Sequence, residues 1–291
     1  MHVERIFKNT DDDWRTGWRI LAMIVLLAIV IIGVNAGWRF LGLPGQEEGG
    51  PWAFLAFATL ICGSAFGVIV LLLRLFEKRG PDAIGLPFRA EAWKAVATGT
   101  VLGAAPICLL VGLSLVAGYG DVVAGNLSLG AIGTTLVPML AAGFLLAAWE
   151  ELVLRGYLLR QFSIGINAPV AALITGVIFG LMHSGNPGAN WQGLLYTAIG
   201  GTLMGWLMVR SGSLWLLIGY HFGWNATAYE LFGLELSGFG ADASALVVTL
   251  TGSGWLTGGS YGFEASLPAM IFEVLVLWTF TSRRFGLRSA P

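Results

Sequence analysis

Eight apolar runs, each near the length a helix needs to cross a bilayer core about 30 Å thick, divide this chain almost from end to end. They extend over Ile20 to Leu41, Trp52 to Leu75, Ala92 to Ala117, Ile132 to Phe162, Ala168 to His183, Trp191 to Val209, Ser213 to Leu231 and Ser266 to Phe280. Hydrocarbon offers a backbone no hydrogen-bond partner, so each run must become a helix that satisfies its own amides. The sequence therefore predicts an all-α fold, a polytopic membrane helix bundle of about eight transmembrane helices. The first run is too long to read as a cleaved signal peptide. It also lies too far behind a mixed-charge start with Asp11, Asp12 and Asp13, and is expected to stay as an anchor.

Composition agrees with a lipid environment. Only 11% of the residues are charged, where a soluble domain carries about 25%. A net charge of -1, with basic residues clustered at the ends of apolar runs, gives no footprint for nucleic acid. Cys62 and Cys108 both lie in apolar stretches, which leaves neither a disulfide framework nor a cysteine-based zinc site.

Orientation follows from the excess of Lys and Arg in cytoplasmic loops. Arg5, Lys8, Arg15 and Arg19 precede run one, and Arg74, Lys78, Arg79, Arg89 and Lys94 lie about the loop between runs two and three. Arg155 and Arg160 close run four, Arg210 closes run six, and Arg283, Arg284 and Arg288 follow run eight. Threading eight spans puts all of these on one side, with Arg39 on the other beside Glu47, Glu48, Asp121, Glu230, Glu235, Asp242 and Glu264. Both termini are therefore expected to be cytoplasmic, and 232–265, rich in Gly, Ser and Thr, becomes an outer loop with the option of dipping back into the membrane. No repeat or low-complexity linker appears, so residues 1–291 read as a single membrane domain. Residues 1–91 form amino-terminal scaffold helices with a cytoplasmic loop, and 132–285 form the part that carries chemistry.

That part holds ionisable groups at membrane depth, where each costs a few kcal/mol or more and a partner is expected. Run four contains Glu150, Glu151 and Arg155, run five ends on His183, and run seven contains His221 and Asn225. Glu151 and Arg155 stand four apart on one helical face and can neutralise each other. Glu150 has only Leu146, Ala147, Val153 and Leu154 at those spacings, so its partner must come from another helix. Glu150 and His183 lie about equally far from the turn at Asn167 and Pro169, some 25 Å up their arms, and should meet at one level. His221 and Asn225 share a face of run seven, which the turn at Arg210 to Ser213 is expected to bring back beside run five. Gly176-x-x-x-Gly180, Gly201-x-x-x-Gly205 and Gly219-x-x-x-Gly223 would permit close helix approach.

A carboxylate near two imidazoles can take a proton from water, and a carboxamide can donate to the oxyanion of a tetrahedral intermediate. No Ser or Cys joins the cluster by spacing, and the zinc signature H-E-x-x-H is absent. A two-histidine, one-carboxylate zinc site from Glu150, His183 and His221 stays open as an alternative to a cofactor-free site.

Glu150-Glu151-x-x-x-Arg155, then Phe179-x-x-x-His183, then His221-x-x-x-Asn225 resemble the three ordered motifs of the CAAX protease and bacteriocin-processing family. The segment Leu256 to Glu264 resembles a Gly-Gly and Gly-x-Glu segment of many bacterial members, although Ala265 and Ser266 follow where a Gly pair is usual. The resemblance implies an eight-helix intramembrane endopeptidase of bacterial type in the plasma membrane. In it Glu150 activates water, His183 and His221 orient the water and the bound carbonyl, Asn225 completes the oxyanion site, and Glu151 with Arg155 supports the pocket. It implies a membrane-associated peptide or protein as substrate and the lipid bilayer as surroundings. A proton- or ion-coupled transporter, or a non-catalytic immunity or scaffold protein of the same fold, are the alternative readings of the same polar residues.

Overall fold

The computed structural model describes residues 7, 13–44, 49–126, 128–241 and 243–282. Arg5, Lys8, Asp11, Asp12, Glu47, Glu48, Asp242, Arg283, Arg284 and Arg288, named above, lie outside the described residues.

Each of the eight apolar runs is helical. Helix α1 is Thr16–Phe40, and α2 is Gly50–Leu72, drawn on by a π-helical turn Leu73–Glu77. Helix α3 is Ala92–Val116. The fourth rod begins with a π-turn Ile132–Leu136, continues as α4, Val137–Glu151, passes through a π-helical stretch Leu152–Leu158 and ends as α5, Leu159–Gly165. Helix α6 is Ala168–Met182, α7 is Trp191–Ser211 and α8 is Leu214–Ala226, extended by a π-turn Thr227–Leu231. Among the described residues five rods, Thr16–Phe40, Gly50–Glu77, Ala92–Val116, Ile132–Gly165 and Ala168–Gly185, are long and apolar enough to cross a membrane, and Leu267–Thr279 is a shorter apolar helix. The protein is a polytopic all-α membrane bundle. Helices α7 and α8 carry Gln192, Thr197, Thr202, His221 and Asn225, which face protein neighbours rather than lipid.

Local chemistry fixes where the rods turn. Asn167, Asn190 and Ser213 stand immediately before α6, α7 and α8, and each side-chain oxygen accepts a free first-turn N–H, from Val170, Gly193 and Leu216 respectively. Gly212 ends α7 in the left-handed region at φ 62°, which lets α8 fold straight back.

Packing then joins the rods into one body. Buried Met23 and Leu27 of α1 and Ile69, Leu72 and Leu73 of the second rod share a core with Leu154, Tyr157, Leu214 and Ile218. The amino-terminal helices thus pack directly onto the rods that carry chemistry. Helix α8 lies mainly against α3 and then α4, while α6 pairs with α7. This corrects the expectation that run seven returns beside run five. The reason lies in the glycines of α3: a Cβ on Gly99 or Gly103 would meet the carbonyl oxygens of Leu216 or Tyr220 at 2.1 and 2.0 Å, and one on Gly219 or Gly223 would meet those of Val96 or Thr100 at 2.2 Å. Four glycines on two facing helices bring the backbones into contact. The same device holds α6 to α7, where a Cβ on Gly176 would fall 2.4 Å from the Thr202 amide nitrogen.

The connection after α8 is more structured than a loop. It contributes strand β2, Leu246–Leu250, which pairs antiparallel with β1, Gly120–Ala124, in the register Val122 to Val248. A helical turn α9, Gly254–Thr257, and two short 3-10 turns follow before the last rod, α10, Leu267–Ser282. Leu234, Val248, Tyr261, Phe263 and Ala265 of this connection are buried against the bundle.

Candidate active site

The site is assembled around the point where the fourth rod passes from α4 into its π-helical stretch. A π-helical turn inserts extra chain without breaking the rod, and such turns often occur where side chains must be re-aimed. Here the last α residue is Glu151, and Arg155 lies within the wider turn.

Glu151 and Arg155 are both fully buried, and Arg155 donates from one terminal nitrogen to Glu151 Oε1 at 2.9 Å. The other terminal nitrogen donates to the Gly201 carbonyl at 3.1 Å, and the guanidinium lies over the Phe179 ring, 4.5 Å from its centre. The pairing read from spacing is present, but Glu151 does more. Its Oε1 also lies 2.9 Å from His221 Nδ1. Glu151 can only accept from the guanidinium beside it, so His221 Nδ1 donates to it and the other ring nitrogen, Nε2, is turned toward Glu150. That Nε2 faces Glu150 Oε2 at 3.8 Å, beyond a hydrogen bond. Glu150 Oε2 is buried and has no hydrogen-bond partner among the described residues.

His183 stands apart from this pair. Its Nδ1 donates to the Phe179 carbonyl at 2.8 Å, and its ring lies edge-on to Phe179 with centres 4.7 Å apart. Phe179 in turn meets His221 edge-on at 5.9 Å. The Phe179 ring therefore stands between the two imidazoles, and His183 makes neither a hydrogen bond nor an ion pair with Glu150. Asn225, one turn beyond His221, lines the same cavity as His221. The structure thus gathers Glu150, Glu151, Arg155 and His221 by direct approach, and Asn225 by a shared cavity. It links His183 only through Phe179.

That cavity lies between α7, α8 and α10 and measures about 40 Å³, enough for water but not for a large side chain. Two carboxylates close it. Glu264 lies in the connection before α10, where it accepts from Trp224 Nε1 at 3.0 Å and from the Ser237 hydroxyl. Its segment is clamped over the bundle by Gln192 donating to the Ala265 carbonyl and by Tyr261, which is fully buried and shares a hydrogen bond with Thr197. Burial pushes the Tyr261 phenol up from its ordinary value, so it remains protonated. Gly262 makes the closing turn at φ 94°, where a Cβ would strike the Glu235 carbonyl oxygen at 2.3 Å. The second carboxylate is Glu273 of α10, packed so closely against Gly200 that a Cβ there would lie 2.6 Å from its oxygens.

Glu273 is the residue that sequence reasoning missed. The signal was present: it is an ionisable group inside an apolar run, the same criterion that singled out Glu150. Among the described residues no group of three His, Cys, Asp or Glu side chains is arranged to hold a metal ion. The set Glu150, His183 and His221 is not brought together as such a group, and no step below runs through a metal.

Bundle and site together define a class, the polytopic helical membrane proteins with an ionisable centre inside the bundle. Within it, residues 132–227 match the family model described as Rce1-like, type II CAAX prenyl endopeptidase Rce1-like. This core, about a third of the chain, is thus similar to a family of membrane endopeptidases. No curated protein and no solved structure matches the chain. The matched stretch begins at the foot of the fourth rod and ends just past Asn225, so it contains all six residues singled out from the sequence.

Proposed function

We propose that this protein is an intramembrane endopeptidase that cleaves membrane-associated, CAAX-like peptides with water activated by Glu150. The observation that carries this reading is the bare, buried Oε2 of Glu150 opposite His221 Nε2, with His221 locked from behind by Glu151 and Arg155. A carboxylate so placed has a proton acceptor to offer and no protein donor to occupy it.

In the proposed reaction, water between Glu150 and His221 loses a proton to Glu150 as its oxygen attacks the scissile carbonyl. The carbonyl oxygen gains the negative charge and receives a hydrogen bond from the Asn225 carboxamide. Collapse of the intermediate breaks the C–N bond, and the proton held by Glu150 passes to the leaving amine. His183, with its Nε2 directed away from the Phe179 carbonyl, would orient the substrate carbonyl from the other side of the Phe179 ring. Bacterial origin and the plasma membrane are part of the proposal and rest on the short outer loops and the Gly-Gly segment.

Cleavage of prenylated and unprenylated membrane peptides by the purified full chain in detergent tests this. Glu150→Gln is expected to lower the rate by at least about a hundredfold with an unchanged melting temperature, which is the scale of a lost general base. Equal rates in the two proteins would refute the role of Glu150, and proton or solute flux in proteoliposomes without cleavage would establish a transporter instead.

A further inference from the structure

A second cavity, of about 910 Å³, opens at the end of the bundle where the arginines collect, away from the site above. That volume is in the range of pockets that hold organic ligands, roughly 300 to 1,000 Å³. It is walled by the start of α1, the end of the second rod and the end of α5. Among the described residues its lining holds four guanidinium groups, Arg15, Arg19, Arg79 and Arg160, and two carboxylates, Asp13 and Glu77.

Glu77 is already engaged by other side chains. Its Oε2 accepts from Arg160 at 2.9 and 2.6 Å, and its Oε1 accepts from Gln161 at 2.6 Å. Arg19 is left at 3.7 Å, too far to share in those bonds. Arg19 is only 6% exposed, and its Nε has no hydrogen-bond partner. Arg79 is exposed at the rim, with no acceptor for its side chain among the described residues. The first turn of α1, Thr16 to Arg19, also faces the cavity; the Trp18 and Arg19 amides donate to the Arg15 carbonyl, the Arg15 side chain makes no cap, and the Thr16 and Gly17 amides have no acceptor among the described residues. A 25-residue helix presenting the Thr16 and Gly17 N–H groups beside a buried, under-bonded guanidinium is an anion site. Trp14 and Phe76, whose rings meet with centres 5.5 Å apart, line the same opening, as aromatic rings do at a headgroup boundary.

We propose that this cavity receives the phosphate of an anionic phospholipid headgroup, with Arg19 and the α1 N-terminus holding the phosphate oxygens and Arg79 closing over them. Phosphate matches both the planar fork of arginine and the converging N–H groups of a helix start. A lipid is favoured over a soluble anion because the opening lies where three hydrophobic rods end and is rimmed by aromatic rings.

Binding is read on the purified full chain by native mass spectrometry and by melting temperature, with dioleoyl phosphatidylglycerol, dioleoyl phosphatidylcholine or inorganic phosphate added. Phosphatidylglycerol is expected to be retained at about one per chain and to raise the melting temperature, with phosphatidylcholine at least tenfold weaker. Arg79→Gln, which breaks no internal contact, is expected to weaken retention about tenfold, the scale of one charge-assisted contact, and Arg19→Gln further. Arg89→Gln, also exposed but outside the cavity, is expected to change nothing. Equal retention of the two lipids, or equal weakening by Arg79→Gln and Arg89→Gln, overturns the site. Inorganic phosphate that binds as tightly as phosphatidylglycerol overturns the lipid assignment.

Discussion

A single oxygen, Glu151 Oε1, receives both Arg155 and Nδ1 of His221. Removing the charge of Glu151 therefore strands a buried guanidinium and frees an imidazole at once. Glu151→Gln is expected to cost about 3 to 5 kcal/mol of stability, as broken buried pairs do, and to lower cleavage as well. Denaturant unfolding in mixed micelles measures the first, and full stability with full activity would remove Glu151 from the site. Glu273→Gln is the contrasting case. The amide keeps the shape of the side chain against Gly200 and removes the cost of an ionisable group in the bundle, so the melting temperature is expected to hold or rise. Peptide turnover is expected to fall about tenfold, because the wall of the cavity shared with His221 and Asn225 changes. The Glu151 to Arg155 contact was legible in the sequence because it is a property of one helix. The Glu151 to His221 contact spans 70 residues and depends on which rods pack together, which spacing alone does not state. His183 shows the converse: level counting brought it to Glu150, but an aromatic ring one turn earlier on its own helix claimed it.

Among the elements, glycine decides the pairing of α3 with α8. Gly219→Ala or Gly103→Ala puts a methyl group about 2 Å from a facing carbonyl, and the expected loss is about 1 to 3 kcal/mol, the scale of overpacking. Gly33→Ala in α1, with nothing within 4 Å of the new Cβ, is expected to be neutral or stabilising. Thermal unfolding of the three variants in the same detergent checks the contrast, and equal effects would detach the glycines from packing. The Gly-x-x-x-Gly pairs of α6, α7 and α8 could be read from the sequence. Their partner faces could not, and Gly99 and Gly103 of α3 gained meaning only with α8 laid across them. Strands β1 and β2 were also missed, although Val122-Val123 and Val247-Val248-Thr249 carry the β-branched pattern that marks strands. A search for spans passes over five-residue strands because they are far shorter than a bilayer crossing.

For the whole molecule, the rods and their apolar character were legible because lipid demands them of any spanning chain. Sidedness rests on charge. Arg89→Cys and Ser253→Cys, both exposed and at opposite ends, are expected to react with an impermeant maleimide from the cytoplasmic and the outer side respectively. Labelling of both from one side of sealed vesicles would overturn the threading. Helix α1 has a further bearing on the whole. Of its residues only Arg19, Met23 and Leu27 are buried, while Leu21, Ile24, Val25, Ile29 and Ile32 turn outward. In a bilayer that outward face is solvated by acyl chains, which makes the surrounding lipid a structural partner of this rod. Stripping that lipid away is equivalent to dissociating a complex, and the heat resistance of this protein is a joint property of the chain and the solvent in which it is dissolved.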